Sequence, residues 1–106
     1  MRLFSSSPDT PVFLYGTLVH PDVLERAIGR VPPFTIDEMS GVKITTVEID
    51  GESYPNLIED SERSLEGIRV AITCDELKTL DRYEARYQRI RRVLTSGISA
   101  WVYVLA

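Results

Sequence analysis

The sequence predicts an α+β domain: a small mixed, β-barrel-like sheet with two flanking helices. Three observations predict it. Runs of β-prone residues occupy most of the chain, two stretches switch to helical spacing, and turn pairs such as Asp50-Gly51 and Ser96-Gly97 separate the runs. The resulting order, β-α-β-β-β-α-β-β, is that of an α+β domain built on a mixed or antiparallel sheet. So many strands in 106 residues favour a curled sheet.

Residues 1–10 read as a polar tail, with a positive charge but no apolar stretch of the kind a signal peptide carries. Val12 to Tyr15 is the first strand. His20 to Arg30 follows as a short helix: Pro21 suits a first turn, and Leu24, Ala27 and Ile28 share one face. Gly29 and the Val31-Pro32-Pro33 run end it. Phe34 to Ile49 is extended, with a bend expected near Ser40-Gly41. Asp50-Gly51 predicts a two-residue type I′ hairpin turn, which places Tyr54 and Pro55 on the return strand. The polar EDSERS segment, Glu59 to Ser64, is expected to be a solvated loop, and Leu65 to Thr73 a further strand. At Thr73 the period becomes helical, and Thr73 with Glu76 matches a capping box. Two strands close the chain, the last apolar on both faces and so expected to be central.

Composition narrows the function. A chain of 106 residues makes one domain, 1–106, and 43% hydrophobic with 26% charged residues is the balance of a folded globule. A net charge of −4 argues against a general nucleic-acid binder. The arginines between Arg82 and Arg92 read as a solvated face pairing with the acidic surplus. No segment has the ~18 apolar residues of a membrane helix. Cys74 alone cannot form an internal disulfide and is expected as a buried or half-buried thiol, so reducing cytosol is the expected compartment. His20 is the only histidine, which disfavours a Ser-His-Asp triad and a multi-histidine metal site. It is expected at the surface or in a cap.

The second helix carries an anomaly. Leu77 and Leu80 set a buried face that continues to Asp81 and Glu84, and an unpaired carboxylate on such a face is costly. Several arrangements satisfy the pattern. Glu84 can pair with Arg86 or Arg89, the helix can end before it, or Asp81 can be the inward residue. Alternatively, Glu84 is a general acid/base whose pKa is raised by desolvation and by the helix C-terminus.

With VFLYGTL, YPNL, LEGIRVAI, LDRYEARYQR and AWVYVL in that order from Val12 to Leu105, the chain resembles the gamma-glutamylcyclotransferase-like (AIG2-like) family. That resemblance implies a small mixed barrel whose first turn, Tyr15, Gly16, Thr17 and Leu18, walls a pocket for a γ-glutamyl group or 5-oxoproline. It implies Glu84 as the general acid/base, Tyr54 and Pro55 at the pocket border and Tyr103 closing it. The implied reaction is cyclisation of a γ-glutamyl amine, amino acid or peptide to 5-oxoproline, with no metal or organic cofactor. A non-catalytic domain that keeps the same pocket and binds a small metabolite is the alternative. Arg89 matches the family's Tyr-x-Arg and is expected in a structural role, paired with Asp81. The chain departs from the family at Ala85, where many relatives have Gly, and only Ala85 and Arg86 separate Glu84 from Tyr87.

Overall fold

The computed structural model describes residues 7–105, so most of the expected tail, 1–10, lies outside the described residues. Five strands and two helices follow in the order β1 (Thr10–Leu14), α1 (Pro21–Ile28), β2 (Phe34–Ile49), β3 (Glu52–Ile72), α2 (Cys74–Tyr83), β4 (Tyr87–Val93) and β5 (Ser99–Leu105). A single 3-10 turn, Gly16–Val19, sits between β1 and α1.

The strands form one mixed sheet in the order β2-β3-β1-β5-β4. β1 runs antiparallel to β3 and parallel to β5, which explains why Val12, Phe13 and Leu14 are all buried. Alternation along β1 divides the core in two. Val12 and Leu14 pack with α1 and α2 through Leu24, Ala27, Leu77 and Leu80, whereas Phe13 packs on the other face with Met39, Val42 and Val102. β5 lies between β1 and β4, as its two apolar faces predict.

The sheet curls but does not close by strand pairing; its ends are joined by individual contacts. The Thr95 N–H donates to the Glu38 carbonyl at 2.7 Å, and the Tyr87 hydroxyl to the Pro55 carbonyl at 2.8 Å. Asp37, a buried carboxylate on β2, accepts from the Ser96 hydroxyl at 2.6 Å and from Arg69 at 2.9 Å. These bonds satisfy a charge that would otherwise be costly to bury.

Two expectations need correction. Glu59 to Ser64 is not a loop that divides two strands. β3 runs through it, so the sheet has five strands and not six. β2 is long enough to supply partners on both sides: Ser40 pairs with Ser64 and Val42 with Glu59, and the surplus residues bulge opposite Gly41, whose φ is 80°. Cys74 is exposed, because it opens α2 a turn before Leu77, the first residue of that helix to be buried.

Local signals appear where expected. Asp50 and Gly51 both have positive φ, 52° and 82°, as a type I′ turn requires. Gly29 caps α1 in the left-handed region. The Thr73–Glu76 capping box forms, and Arg30 doubly engages Glu76, tying the end of α1 to the start of α2. Among the described residues no helix is long and apolar enough to cross a membrane.

Candidate active site

The chain ends β1 by turning sharply. Tyr15 is extended, Gly16 has φ 72°, and the 3-10 turn carries the backbone to His20, whose N–H donates to the Thr17 carbonyl at 3.1 Å. A left-handed residue at this point favours glycine. A Cβ added to Gly16 would meet Pro55 Cγ at 3.5 Å, an ordinary contact, so conformation rather than crowding sets the requirement.

This turn faces a cavity of about 460 Å³. Tyr15, Thr17 and Leu18 border it from the turn, Tyr54 and Pro55 from β3, and Tyr103 from β5. Glu84 borders it from the far end of α2, so the structure brings one carboxylate to the turn across 69 positions of sequence. Gly16 is not itself part of the lining; its neighbours are. Tyr83, Arg86 and Tyr87 also border the cavity, a place the sequence did not predict for them. The available signal was proximity, since Tyr83, Arg86 and Tyr87 lie within three positions of Glu84; all five tyrosines of the chain line this one space.

α2 ends at Tyr83, and Glu84 is its C-cap, with φ −100° and ψ 50°. The Glu84 N–H donates to the Leu80 carbonyl at 2.8 Å, and the Glu84 carbonyl accepts from Tyr87 N–H at 2.9 Å. The helix thus stops one residue early, yet the side chain turns inward and is half-buried. Arg89 does not pair with it; Arg89 Nε donates to Asp81 at 2.7 Å and stacks on Trp101 with its guanidinium 4.4 Å from the ring centroid. Among the described residues Glu84 forms no ion pair. Burial, uncompensated, raises its pKa above the ordinary carboxylate value.

Four of the cavity tyrosines already spend their only proton. Tyr15 donates to the Tyr103 carbonyl, Tyr54 to Glu52 at 2.8 Å, Tyr87 to the Pro55 carbonyl at 2.8 Å and Tyr103 to Asp81 at 2.6 Å. What remains on each oxygen is acceptor capacity. Burial raises the pKa of Tyr15, with the charges of Tyr87 and Glu84 adding to it. It raises that of Tyr103 too, helped by the hydrogen bond to Asp81. Both stay neutral phenols. His20 is exposed, starts α1 and does not border the cavity.

Residues 12–106 match the family model described as gamma-glutamyl cyclotransferase, AIG2-like. AIG2-like protein C of Arabidopsis thaliana is 34% identical over 74 residues, covering 69% of this chain and 42% of that protein. The chain spans about half the length of the curated relatives it matches. A protein of Arabidopsis thaliana solved in solution has a TM-score of 0.75 at 24% identity, over 93% of this chain and 72% of that one. A structure of a gamma-glutamyl cyclotransferase gives 0.76 at 12% identity, over 92% and 66%. At such identities these two likenesses speak for the fold. The match of the family model over nearly the whole chain goes further: the chain belongs to the gamma-glutamyl cyclotransferase, AIG2-like family.

Proposed function

We propose that this chain is a γ-glutamyl cyclotransferase, which releases 5-oxoproline from a γ-glutamyl amine, amino acid or peptide with Glu84 as general acid/base. The observation that carries this reading is Glu84 itself. It is a half-buried carboxylate without an ion pair among the described residues, on a cavity it shares with the Tyr15–Leu18 turn. A structural carboxylate would be expected to find a cation, and three arginines, Arg82, Arg86 and Arg89, lie within five positions of it.

In this reading the substrate's α-ammonium meets Glu84 and the oxygens of Tyr15, Tyr54, Tyr87 and Tyr103, which offer acceptors and no spare protons. The α-ammonium first gives up one proton to solvent and becomes the amine nucleophile, and Glu84 takes a second proton from the same nitrogen as it attacks. The new bond joins the α-nitrogen to the γ-carbonyl carbon, the bond from that carbon to the leaving nitrogen breaks, and Glu84 returns the proton to the leaving amine. No electrons are transferred to or from an outside group, and no cofactor is drawn on. Holding the glutamyl chain folded makes the attack unimolecular, which can lower the barrier substantially. The backbone around Gly16 and Thr17 supplies N–H groups for a carboxylate or for the developing oxyanion. A cytosolic setting suits this reading, since Cys74 is an exposed free thiol.

The test is 5-oxoproline release from a panel of γ-glutamyl amines, amino acids and dipeptides. Glu84→Gln is expected to lower turnover ~10²–10⁴-fold, the usual contribution of a positioned acid/base. Activity that survives this substitution rules the mechanism out. Binding without turnover in the parent chain would assign the cavity to a metabolite-binding domain instead.

A further inference from the structure

Apart from Glu84, the cavity is bordered by one charged side chain, and it has the opposite sign. Arg86 stands two residues after Glu84 in the turn that joins α2 to β4, closed by the Tyr87 N–H to Glu84 carbonyl bond. The three arginines that follow it on β4 are committed. Arg89 is held by Asp81 at 2.7 Å, Arg92 by Glu59 at 3.1 Å, and Arg91 packs 4.9 Å from the Trp101 ring centroid while donating to Ser99 at 3.3 Å. Arg86 is not held in this way. Its ion pair with Asp50, at 3.9 Å, is the longest among the described residues, and the Asp50 side chain is 85% exposed. The guanidinium also lies 5.1 Å from the Tyr54 ring centroid, which keeps it over the cavity wall.

We propose that Arg86 selects the leaving group: it receives a carboxylate on the departing amine, so that γ-glutamyl amino acids and short peptides are favoured over γ-glutamyl amines lacking one. This rests on the cyclotransferase reading. Glu84 is half-buried, whereas the Arg86 side chain is 47% exposed and marks the mouth. A substrate with its α-amine on Glu84 therefore directs its leaving group outward, past Arg86. Guanidinium and carboxylate match as a two-point, charge-assisted pair, which an ammonium or amide at this position would not reproduce. Asp50 is displaced at little cost, because a long, exposed pair contributes almost nothing. With only Ala85 and Arg86 between Glu84 and Tyr87, the arginine falls at the rim of the cavity.

The experiment compares γ-glutamylalanine with γ-glutamylethylamine, which differ only in the leaving-group carboxylate, by 5-oxoproline release and by calorimetric binding to Glu84→Gln. The parent is expected to favour the alanine compound in kcat/KM about tenfold or more, chiefly through KM. Arg86→Ala should bring that ratio close to one, with Arg86→Lys in between; circular dichroism confirms that each variant is folded. Equal loss on both compounds would overturn the proposal, because Arg86 would then hold the glutamyl unit's own carboxylate. So would a parent without preference. If neither compound is turned over, the cyclotransferase reading fails; the binding ratio in Glu84→Gln against the Glu84→Gln/Arg86→Ala double variant still decides for or against Arg86.

Discussion

A Gly67→Ala substitution would put a methyl group where β1 already stands. Gly67 is buried in β3, and a Cβ built there lies 2.4 Å from the Leu14 carbonyl oxygen and 2.7 Å from Phe13 Cζ. The first distance is about 1 Å inside ordinary contact, and its partner is backbone rather than a flexible side-chain end. Phe13 offers no escape either, since its ring is fully buried against Met39 and Val102. β1 must therefore shift by roughly the deficit, at a cost of about 1–3 kcal/mol for overpacking. For a domain of this size each kcal/mol lowers Tm by about 4–8 °C. The shift also reaches the cavity, because Leu14 leads directly into Tyr15 and both border it. A misplacement of ~1 Å can cost ~10²-fold in rate. Thermal melts by circular dichroism and the 5-oxoproline assay together check this. A variant that melts within about 1 °C of the parent and keeps full activity would refute the reasoning.

Glu84→Gln should trade activity for stability. Burial raises the Glu84 pKa in the fold above its unfolded value, so the contribution of the protonated form is complete below the unfolded pKa and is lost as pH rises through the folded one. The Gln variant is therefore expected to melt higher than the parent at neutral pH and to converge with it in acid; a lower Tm at pH 7 contradicts this. For the same reason the acid limb of kcat/KM should lie above the ordinary glutamate value of ~4.3, and a limb at or below that value removes Glu84 as the base. Tyr103→Phe deletes the 2.6 Å bond to Asp81 and should cost about 1 kcal/mol of stability together with a larger loss in KM than in folding, read by melts and steady-state kinetics. Thr73→Ala removes one half of the capping box and should cost ~1 kcal/mol in chemical denaturation with turnover unaffected, since Thr73 does not border the cavity.

The features legible in the sequence are those that a few neighbouring residues determine. Asp50-Gly51, Gly29 and the Thr73–Glu76 box each specify their own geometry, and β5 announces its central place by being apolar on both faces. What escaped was decided elsewhere in the chain. EDSERS is as polar as a loop, but its pairing is dictated by the length of β2 and by a bulge opposite Gly41. Gly67 looks like an ordinary strand glycine until Phe13 and Leu14 arrive against it. The inward Glu84 could be suspected from helical spacing, yet that spacing left Arg86 and Arg89 open as partners, and only the three-dimensional pairings of Arg89 with Asp81 and of Arg86 with Asp50 close that option. The sequence presents Arg86 only as a candidate partner of Glu84 within a basic group, because nothing local places it at the cavity rim.

The distribution of aromatic residues also makes the chain a detector of its own ligand. Every tyrosine borders the cavity, while the single tryptophan, Trp101, lies outside it beneath Arg89. Tyrosine absorbance and emission therefore report on one location without a label or an introduced reporter. Trp101 provides an internal energy acceptor connected to that location through Arg89, Asp81 and Tyr103. Occupancy of the cavity can be titrated optically in the unmodified protein, for turned-over and inert compounds alike.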